Sequence, residues 1–535
     1  MNLFAALIDR LAYEPSRNSK LRLLGDYFRT APDPGRGYAL AAMTGALTFA
    51  NTKPAMVRAL ISARADPVLF DLAYDYVGDL SETVALMWPA PPEVNFSPAL
   101  SDIVTGLRST GRLDLPKQIA GWLDGLDETG RWALLKLITG GLRIGVSARL
   151  AKSAVGTIGG LAPDDIEEIW HGLTPPYEAL FAYVEGRGPR PAADDPAPFR
   201  TPMLAHAAEP GDFEKLSAAD FRAEWKWDGI RVQAAAGVSG SGAVAARLYS
   251  RTGEDISRAF PDVIEALRAP AFEGAAIDGE LLIMRGGRVQ SFNVLQQRLN
   301  RKTASAKLLA ESPAFVRCYD LLSERGEDLR ALPFLTRRAR LEAFLARAGS
   351  RRFDLSPLVP FATWAALAQA RAAPGTADAG AIEGVMIKRA DSAYVPGRPK
   401  GQWYKWKRDP FNVDAVLMYA QRGHGKRSSF YSDFTFGVWR ADELVPVGKA
   451  YFGFTDEELK LLDKFVRDNT LNRFGPVREV ERSLVLEIAF EGLNRSTRHK
   501  SGLAMRFPRI ARIRWDKPAQ EADRIETLAA MLKAD

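Results

Sequence analysis

The sequence predicts a multidomain protein with an all-α N-terminal domain, a central α+β domain and a C-terminal β-barrel. Apolar residues recur at helical spacing as far as about residue 185, and strand-like runs then alternate with helical ones from Met203 to Lys407. Beyond Lys407 the runs are short and rich in β-branched and aromatic residues. Because 535 residues are too many for one hydrophobic core, we expect domains at 1–195, 200–408 and 409–535.

The N-terminal domain is predicted from its helical periodicity. Apolar residues recur every three or four positions in Phe4–Leu11, Leu21–Phe28, Met56–Leu60 and Trp132–Ile138. Glycine and proline interrupt the pattern at intervals typical of loops. The Pro-rich polar stretch 186–198 follows, and its composition is typical of an interdomain linker.

The C-terminal domain is predicted to be a small barrel. The strand-like runs are Val413–Tyr419, Ser432–Trp439, Leu444–Phe452 and Ser483–Phe490. A capping box at 455–458 begins one helix, and we expect one face of it to carry Leu459, Leu461, Leu462 and Phe465. About five short strands with one helix favour the oligonucleotide-binding (OB) fold, although any small β domain would have this composition.

Composition excludes several classes of protein. The net charge of +7 weakly favours a polyanionic partner. The single cysteine, Cys318, rules out an internal disulfide and a cysteine-based zinc site, and the four histidines are too scattered for a metal cluster. The N-terminus lacks the basic segment of a signal peptide, and no apolar run approaches the roughly 20 residues of a membrane span. We therefore expect a cytoplasmic protein without membrane contact.

The segment EWKWDGIR, residues 224–231, carries the clearest chemical signal. Lys226 precedes the turn signal Asp228-Gly229, which separates the strand-like runs Phe221–Trp225 and Ile230–Ala235. Such a turn would hold Lys226 at the end of a strand, aimed across a sheet. A lysine becomes a nucleophile only when its amine is neutral, through desolvation or neighbouring cations. The alternative is a surface lysine beside a hairpin.

Polar residues interrupt later strand-like segments, where a sheet would favour apolar ones. In chain order they are Arg251, Asp278, Glu280, Glu383, Lys388, Lys405 and Lys407. At strand period the last two lysines face the same side. Each residue alone has a structural explanation, such as an edge-strand charge. Together they provide an amine, cations for a triphosphate, carboxylates for Mg²⁺ and aromatic rings for a base, which nucleotidyl transfer requires.

On these residues the chain resembles the covalent nucleotidyltransferases, and among them the ATP-dependent DNA ligases of the bacterial type with a helical DNA-binding domain. KWDGIR at 226–231 is similar to the family's adenylated motif. The next five motifs are matched in order by Ser250-Arg251, Asp278-Gly-Glu280, Tyr319-Asp320, Glu383-Gly384 and Lys405-x-Lys407, and the last by Met505–Arg509 with Asp516-Lys517. The resemblance runs from about Met203 to Lys517. Gly78–Leu80 and Leu142–Val146 are similar to segments of the helical DNA-binding domain.

The resemblance implies an ATP-grasp-like adenylation domain in which Lys226 attacks the α-phosphate of ATP and carries AMP. It implies that Glu224 reads the adenine edge, that Tyr319 stacks on the ring, and that Arg231 and Arg251 hold ribose or phosphate. Contacts to ribose and to Mg²⁺, with Mn²⁺ as an alternative, are implied for Glu280 and Glu383. Lys405 and Lys407 would neutralise the α-phosphate.

Further cations are implied near the triphosphate and the DNA. The spacing before Trp403 leaves open whether Arg398 or Lys400 corresponds to the family's arginine there. The final motif implies that Arg506, Arg509, Asp516 and Lys517 act on the leaving group or on DNA. The run 398–408 contains five Lys or Arg residues and no acid, and 495–517 contains eight against one acid. Trp403, Trp406, Phe507 and Trp515 interleave with these cations, which favours a phosphate-tracking groove with stacking surfaces.

The resemblance therefore implies a monomeric enzyme that seals 5′-phosphate/3′-hydroxyl nicks in double-stranded DNA, in repair, replication and recombination. An RNA ligase or an mRNA-capping guanylyltransferase would share the chemistry. An NAD-dependent ligase is disfavoured, because one cysteine cannot form that family's zinc finger. The alternative of a different class is a non-catalytic DNA-binding protein with a decayed transferase core.

Overall fold

The computed structural model describes residues 1–49, 51–89, 98–170, 172–191, 195–299, 304–423, 429–496 and 499–532. The chain divides into two compact units. The first contains 1–163, 174–190 and 410–535, and the second contains 164–173 and 191–409. Within the described ranges, every helix is either too short or too polar to cross a membrane.

The N-terminal part is helical, as predicted. Its helices are α1 (Asn2–Tyr13), α2 (Arg17–Thr30), α3 (Gly35–Met43), α4 (Pro54–Ser62), α5 (Pro67–Val77), α6 (Leu80–Met87), α7 (Leu100–Ser109), α8 (Leu115–Gly125), α9 (Glu128–Thr139), α10 (Ala148–Gly156), α11 (Pro163–Trp170) and α12 (Glu178–Val184). Ser16, Asp66, Asp79 and Asp127 cap four of them by accepting hydrogen bonds from first-turn N–H groups. The four predicted helical segments lie in α1, α2, α4 and α9.

The second unit contains two sheets. Its strands are β1 (His206–Ala207), β2 (Phe221–Trp227), β3 (Ile230–Val238), β4 (Val244–Ser250), β5 (Ala276–Arg285), β6 (Arg288–Val289), β7 (Ala314–Glu324), β8 (Glu327–Asp328), β9 (Phe353–Leu355), β10 (Leu358–Val359), β11 (Ile382–Arg389) and β12 (Trp403–Lys407). Its helices after α11 are α13 (Pro261–Leu267), α14 (Phe292–Leu299), α15 (Ala306–Glu311), α16 (Phe334–Ala348) and α17 (Trp364–Ala372). Sheet A has the order β1-β12-β11-β2-β10, and sheet B has the order β4-β3-β5-β7-β8 with β6 and β9 beside it. The apolar core of sheet B packs against α13, α14 and α16.

The turn at Asp228-Gly229 joins two strands that do not pair with each other, and Lys226 lies at the end of the first. β2 lies in sheet A and β3 in sheet B, so the turn carries the chain from one sheet to the other and does not close a hairpin. A Cβ at Gly229 would lie 2.6 Å from Leu281 O and 2.8 Å from Glu280 Cγ. Glycine is needed there because the crossing chain passes directly against β5. The turn signal was correct, but sequence alone does not say whether the two flanking strands pair.

The predicted linker is also shorter than expected. Asp195 forms an ion pair with Arg247, and Ala197 is buried in the second unit. A Cβ at Gly237 would lie 1.8 Å from Pro196 O, so this segment packs closely on β3. Residues 195–198 are thus part of the second unit, and residues 192–194 of the predicted linker lie outside the described residues.

The C-terminal part is rich in strands, as predicted. Its elements are β13 (Phe411–Arg422), β14 (Tyr431–Arg440), β15 (Glu443–Ala450), α18 (Asp456–Asp468), β16 (Thr470–Phe474), β17 (Val477–Val480), β18 (Val485–Phe490), β19 (Gly492–Arg495), β20 (Leu503–Arg506), β21 (Arg509–Arg514) and α19 (Ile525–Met531). The main sheet has the order β15-β14-β13-β17-β16, β18 pairs with β13 and β21, and β19 pairs with β20. The arrangement is that of the predicted OB-type domain.

Two details of this domain differ from the prediction. The described residues form nine strands, because β16, β17 and β19 to β21 are too polar to stand out in the sequence. The capping box of Thr455 and Glu458 is present at the start of α18. The buried face of that helix carries Leu459, Leu462 and Val466, whereas the side chain of Leu461 is 51% exposed and does not belong to it.

Candidate active site

Three neighbouring strands of sheet A bring Lys226 beside two other predicted site residues. Lys226 on β2 and Lys407 on β12 both pair in register with Gly384 of the intervening strand β11. The Glu383 carboxylate contacts the Lys226 ammonium, and its other oxygen lies 3.5 Å from Lys407 Nζ. One carboxylate therefore bridges the predicted nucleophile and a predicted phosphate-binding lysine.

The backbone around Glu383 makes this arrangement feasible. The φ angle of Gly384 is +148°, a value that residues with side chains rarely adopt. A Cβ at Gly384 would lie 2.3 Å from Trp406 O. The pairing of β2 with β11 also shifts register between Ile382 and Gly384, which places Glu383 in a bulge. The glycine permits close approach of β12, and the bulge directs the carboxylate towards both lysines.

The predicted cations lie close together. Burial lowers the pKa of Lys405, and the charges of Lys226, Lys407, Arg398 and Arg251 lower it further. Burial also lowers the pKa of Arg251, again with Arg398 among the contributing charges. A group of like charges this close is unfavourable without an anion among them. The charge of Arg398 therefore acts on both Lys405 and Arg251, and its correspondence to the family's arginine stays a prediction.

The predicted carboxylates are near one another as well. Burial raises the pKa of Glu280 to about 8, and the negative charges of Glu383 and Asp228 add to the rise. The positive charges of Lys226 and Arg231 oppose it. Carboxylates that are costly to ionise together fit a divalent cation, which would neutralise them. Among the described residues, no three His, Cys, Asp or Glu side chains cluster as a metal site, so Mg²⁺ would need oxygens from phosphates or water, as it commonly does.

Glu224 is buried and doubly paired. Its side chain is 2% exposed, and its two oxygens contact Arg338 Nη1 at 2.5 Å and Lys388 Nζ at 2.6 Å. Lys388 Nζ in turn lies 4.6 Å from the ring centre of Tyr319. Since each carboxylate oxygen has two lone pairs, both can accept one further hydrogen bond. The predicted role of Glu224 in reading adenine stays a prediction.

Arg231 is held by Asp278, a carboxylate that the sequence analysis singled out without predicting this contact. Its Nε and Nη2 donate to the two oxygens of Asp278 at 3.0 and 2.6 Å. The hydroxyl of Tyr394 also donates to Asp278, at 2.7 Å. The guanidinium lies 5.9 Å from the ring centre of Tyr319, whose pKa is raised well above its usual value by burial, so the phenol stays neutral. Asp278 thus orients Arg231, and Tyr394 was missed because a lone tyrosine carries no pattern.

Two of the aromatic residues predicted to stack on nucleic acid have other partners. Trp403 is 1% exposed, and its Nε1 donates to Ser392 Oγ at 3.2 Å. Trp406 packs 4.3 Å from the Phe213 ring and is therefore part of the outer core of sheet A. The prediction was wrong for these two: at strand period Trp403 lies on the same face as Lys405 and Lys407 but is enclosed in a buried cluster, and Trp406 lies on the opposite face against the core of sheet A. Phe507 and Trp515 are both 54% exposed, so they remain available for stacking.

The residues of the final motif lie on or beside the last strands of the first unit. Arg506 lies 5.3 Å from the Phe507 ring centre, and Arg509 begins β21. Lys517 Nζ contacts Asp414 at 2.7 Å. The two oxygens of Asp516 accept hydrogen bonds from Arg514, which lowers the pKa of Asp516 to about 2. Asp516 therefore stays ionised and paired, and its predicted direct role in phosphate or DNA binding stays a prediction.

Comparisons with known proteins agree on one family. The model of the ATP dependent DNA ligase domain matches residues 202–407, and that of the ATP dependent DNA ligase C terminal region matches residues 427–517. A probable DNA ligase of Koribacter versatilis is 36% identical over 74% of this chain and 70% of its own. DNA ligase 1 of Korarchaeum cryptofilum is 30% identical over 98% of this chain and 96% of its own. The solved structure Pmar-Lig_Pre has a TM-score of 0.60 over 96% of this chain and 99% of its own, at 16% identity, which supports the fold.

Proposed function

The chain belongs to the ATP-dependent DNA ligases, the family that the sequence predicted, and we propose that Lys226 is the residue that carries AMP. The observation that supports this assignment is the position of Lys226 at the end of β2, within a group of cations and beside the bridging carboxylate Glu383. A triphosphate would bring further negative charge to this group of cations, which is what stabilisation of the reacting phosphate requires.

The first step follows from this arrangement. The neutral amine of Lys226 attacks the α-phosphorus of ATP, a P–N bond forms, and the bond to the pyrophosphate oxygen breaks. Lys405, Lys407 and Arg398 offset the charge on the phosphate as it develops. Arg231 and Arg251 bind the ribose or phosphate, and Tyr319 stacks on the adenine. The ammonium of Lys226 releases one proton to solvent before attack, and its nitrogen releases a second proton once the P–N bond has formed.

Glu280 and Glu383 are the proposed protein ligands of Mg²⁺. The ion, when bound, would neutralise phosphate charge and hold the triphosphate in line with the amine. Carboxylate ligands at a site completed by phosphates and water would accept Mn²⁺ too. The rise in the pKa of Glu280 supports this role, because a cation at that position would remove the cost of ionising it.

Nicked double-stranded DNA is the proposed second substrate, sealed by a monomer acting at the nucleoid. The 5′-phosphate of the nick would receive AMP from Lys226, and the 3′-hydroxyl would then displace AMP. Arg506, Arg509 and Lys517 would act on the departing pyrophosphate, so their loss should slow the first step most. A nick that already carries 5′-adenylate tests this, because sealing it needs no ATP.

The decisive experiment separates ATP-dependent DNA ligation from the reactions of an RNA ligase, a capping guanylyltransferase and an NAD-dependent ligase. The protein is incubated with α-³²P-labelled ATP or GTP, or with NAD labelled in its adenylate, and then chased with a nicked DNA duplex or a nicked RNA duplex. We expect label from ATP only, on Lys226, and discharge onto DNA. Label from GTP alone, or discharge onto RNA alone, would refute the proposal.

A further inference from the structure

Helix α16 places two consecutive arginines in the interior of the second unit. The side chain of Arg337 is 0% exposed and that of Arg338 is 5% exposed. Arg340, two residues beyond Arg338, is 38% exposed and pairs with Glu324, which is 9% exposed, and with Glu327, which is 60% exposed. A buried guanidinium is costly unless its donors are satisfied, so two in succession imply specific partners.

The two arginines hold strands that belong to different sheets. Arg337 donates from Nε and Nη2 to the two oxygens of Asp320 on β7, at 2.7 and 2.9 Å. Arg338 donates from Nη1 to Glu224 on β2 and from Nη2 to the carbonyl oxygen of Ser356, each at 2.5 Å. Because β7 lies in sheet B and β2 in sheet A, one helix braces both sheets.

Each anchored carboxylate is adjacent to the proposed base site. Asp320 follows Tyr319, whose ring is proposed to stack on adenine. Glu224 is itself the residue proposed to read the adenine edge, and Lys388 binds its second oxygen. The two braces therefore act on different properties of the site, namely the position of the stacking ring and the orientation of the reading carboxylate.

We propose that Arg338 is a positioning residue for the choice of base, and that Arg337 is a positioning residue for stacking. This inference rests on the proposed function, since it takes Glu224 and Tyr319 as the base contacts. Adenine presents an N6 amine at the position where guanine presents the O6 acceptor. An ionised carboxylate held in one orientation accepts from the amine and repels O6. Without Arg338 the carboxylate would lose one of its two cations and the contact that fixes its orientation.

The charges around Glu224 agree with this role. Burial raises the pKa of Glu224, and Asp320 adds to the rise, whereas Lys388 and Arg338 oppose it. Loss of Arg338 would therefore favour the protonated acid, which can donate to guanine O6. The lost orientation of Glu224 and its protonation would each weaken the preference for ATP over GTP.

The test measures single-turnover labelling of the full-length protein with ATP, with GTP and with purine riboside triphosphate, which lacks the 6-amino group. Arg338→Met should lower the ratio of the ATP labelling rate to the GTP labelling rate at least tenfold, by slowing labelling with ATP, by speeding labelling with GTP, or by both. It should leave the labelling rate with the analogue within about twofold of wild type. Arg337→Met should slow labelling with all three nucleotides by a similar factor and leave the ratio of the ATP rate to the GTP rate unchanged. Glu342→Gln is the matched control, because it removes only the charge of the third partner of Arg338, which lies 3.0 Å away and is 51% exposed.

Arg338→Lys covers the case in which the methionine variant does not fold. Lysine can pair with Glu224 but cannot also reach Ser356 in the fixed geometry of a guanidinium, so we expect an intermediate ATP preference. Equal losses for all three nucleotides in the soluble Arg338 variants, or an unchanged ATP preference, would overturn the inference. A failure of the proposed function looks different, because AMP would then be attached to a residue other than Lys226.

Discussion

The ammonium of Lys226 is in contact with the carboxylate of Glu383 on the neighbouring strand. Such an ion pair stabilises the charged lysine, whereas nucleophilic attack requires the neutral amine. Glu383 is also a proposed metal ligand, and its oxygens cannot serve the ammonium and a divalent cation equally well. We therefore expect the nucleotide and its metal ion to free Lys226 from this partner at the time when its amine must react.

The first prediction concerns Lys226 itself. Lys226→Ala should abolish covalent labelling by ATP, and Lys226→Arg should fail equally because a guanidinium remains protonated. Both variants should retain most of the sealing of a nick that already carries 5′-adenylate. Lys307→Ala changes a lysine that is 82% exposed in the same unit and should label like wild type. Mass spectrometry that finds AMP on another lysine would contradict the assignment.

The second prediction concerns the metal ion. Chelation with EDTA should abolish labelling, and Mg²⁺ or Mn²⁺ should restore it. Glu383→Gln and Glu280→Gln should each slow labelling at least tenfold at about 1 mM Mg²⁺ and raise the Mg²⁺ concentration for half-maximal rate, because an amide is a weaker ligand for a hard cation. Titration of the rate with Mg²⁺ measures this. A lower maximal rate with an unchanged Mg²⁺ requirement in both variants would show that neither carboxylate binds the ion.

The third prediction concerns stability against pH. The pKa of Glu280 is about 8 in the folded protein, against an ordinary value of 4.5, so between these values the folded state binds more protons than the unfolded state. The free energy of unfolding therefore falls as pH rises through this window. Without Mg²⁺, Glu280→Gln should match wild type near pH 4.5 and unfold roughly 2–8 °C higher at pH 8. Thermal scans across this range test it, and parallel curves for the two proteins would contradict it.

The site could be predicted from the sequence where chemistry depends on residue type and order, and not where it depends on pairing between distant strands. Lys226, Glu383 and Lys407 were found from local patterns, but their meeting at Gly384 follows from register between strands about 20 to 160 residues apart. The burial of Trp403 and the internal contacts of Arg338 could not be predicted, for a related reason. A buried tryptophan or arginine has the same local sequence as an exposed one, and only the fold decides which it is.

The fourth prediction separates activity from stability at Lys405. Burial and four nearby cations lower the pKa of Lys405, so its charged form is unfavourable in the protein without nucleotide. Lys405→Met should leave the thermal midpoint equal or higher, yet slow labelling by ATP about 10²–10³-fold, because one preorganised cation is lost. Lys400→Met, at an exposed position on the preceding loop, is the control and should change neither. A marked loss of stability in Lys405→Met would show a structural role.

The last prediction concerns the end of β12. Arg371 on α17 lies 4.7 Å from the ring centre of Trp406 and donates from Nη1 to the carbonyl oxygen of Lys407 at 2.5 Å. Its terminal nitrogens also contact both oxygens of Asp409, at 3.1 Å each. The bond to Lys407 fixes the backbone of a proposed phosphate-binding residue, whereas the side chain of Asp409 is 86% exposed and its ion pair should contribute little.

Arg371→Met should therefore slow labelling by ATP about tenfold, since a small displacement of a positioned charge is expensive for catalysis. Arg371→Lys should recover only part of the rate, because a lysine cannot bind the carbonyl and pack on the indole in the same geometry. Asp409→Asn should stay within about twofold of wild type, because exposed ion pairs contribute little. The rates come from rapid-quench labelling at saturating ATP. Equal defects in Arg371→Met and Asp409→Asn would mean that the ion pair, and not the bond to the Lys407 backbone, is what the active site needs from Arg371.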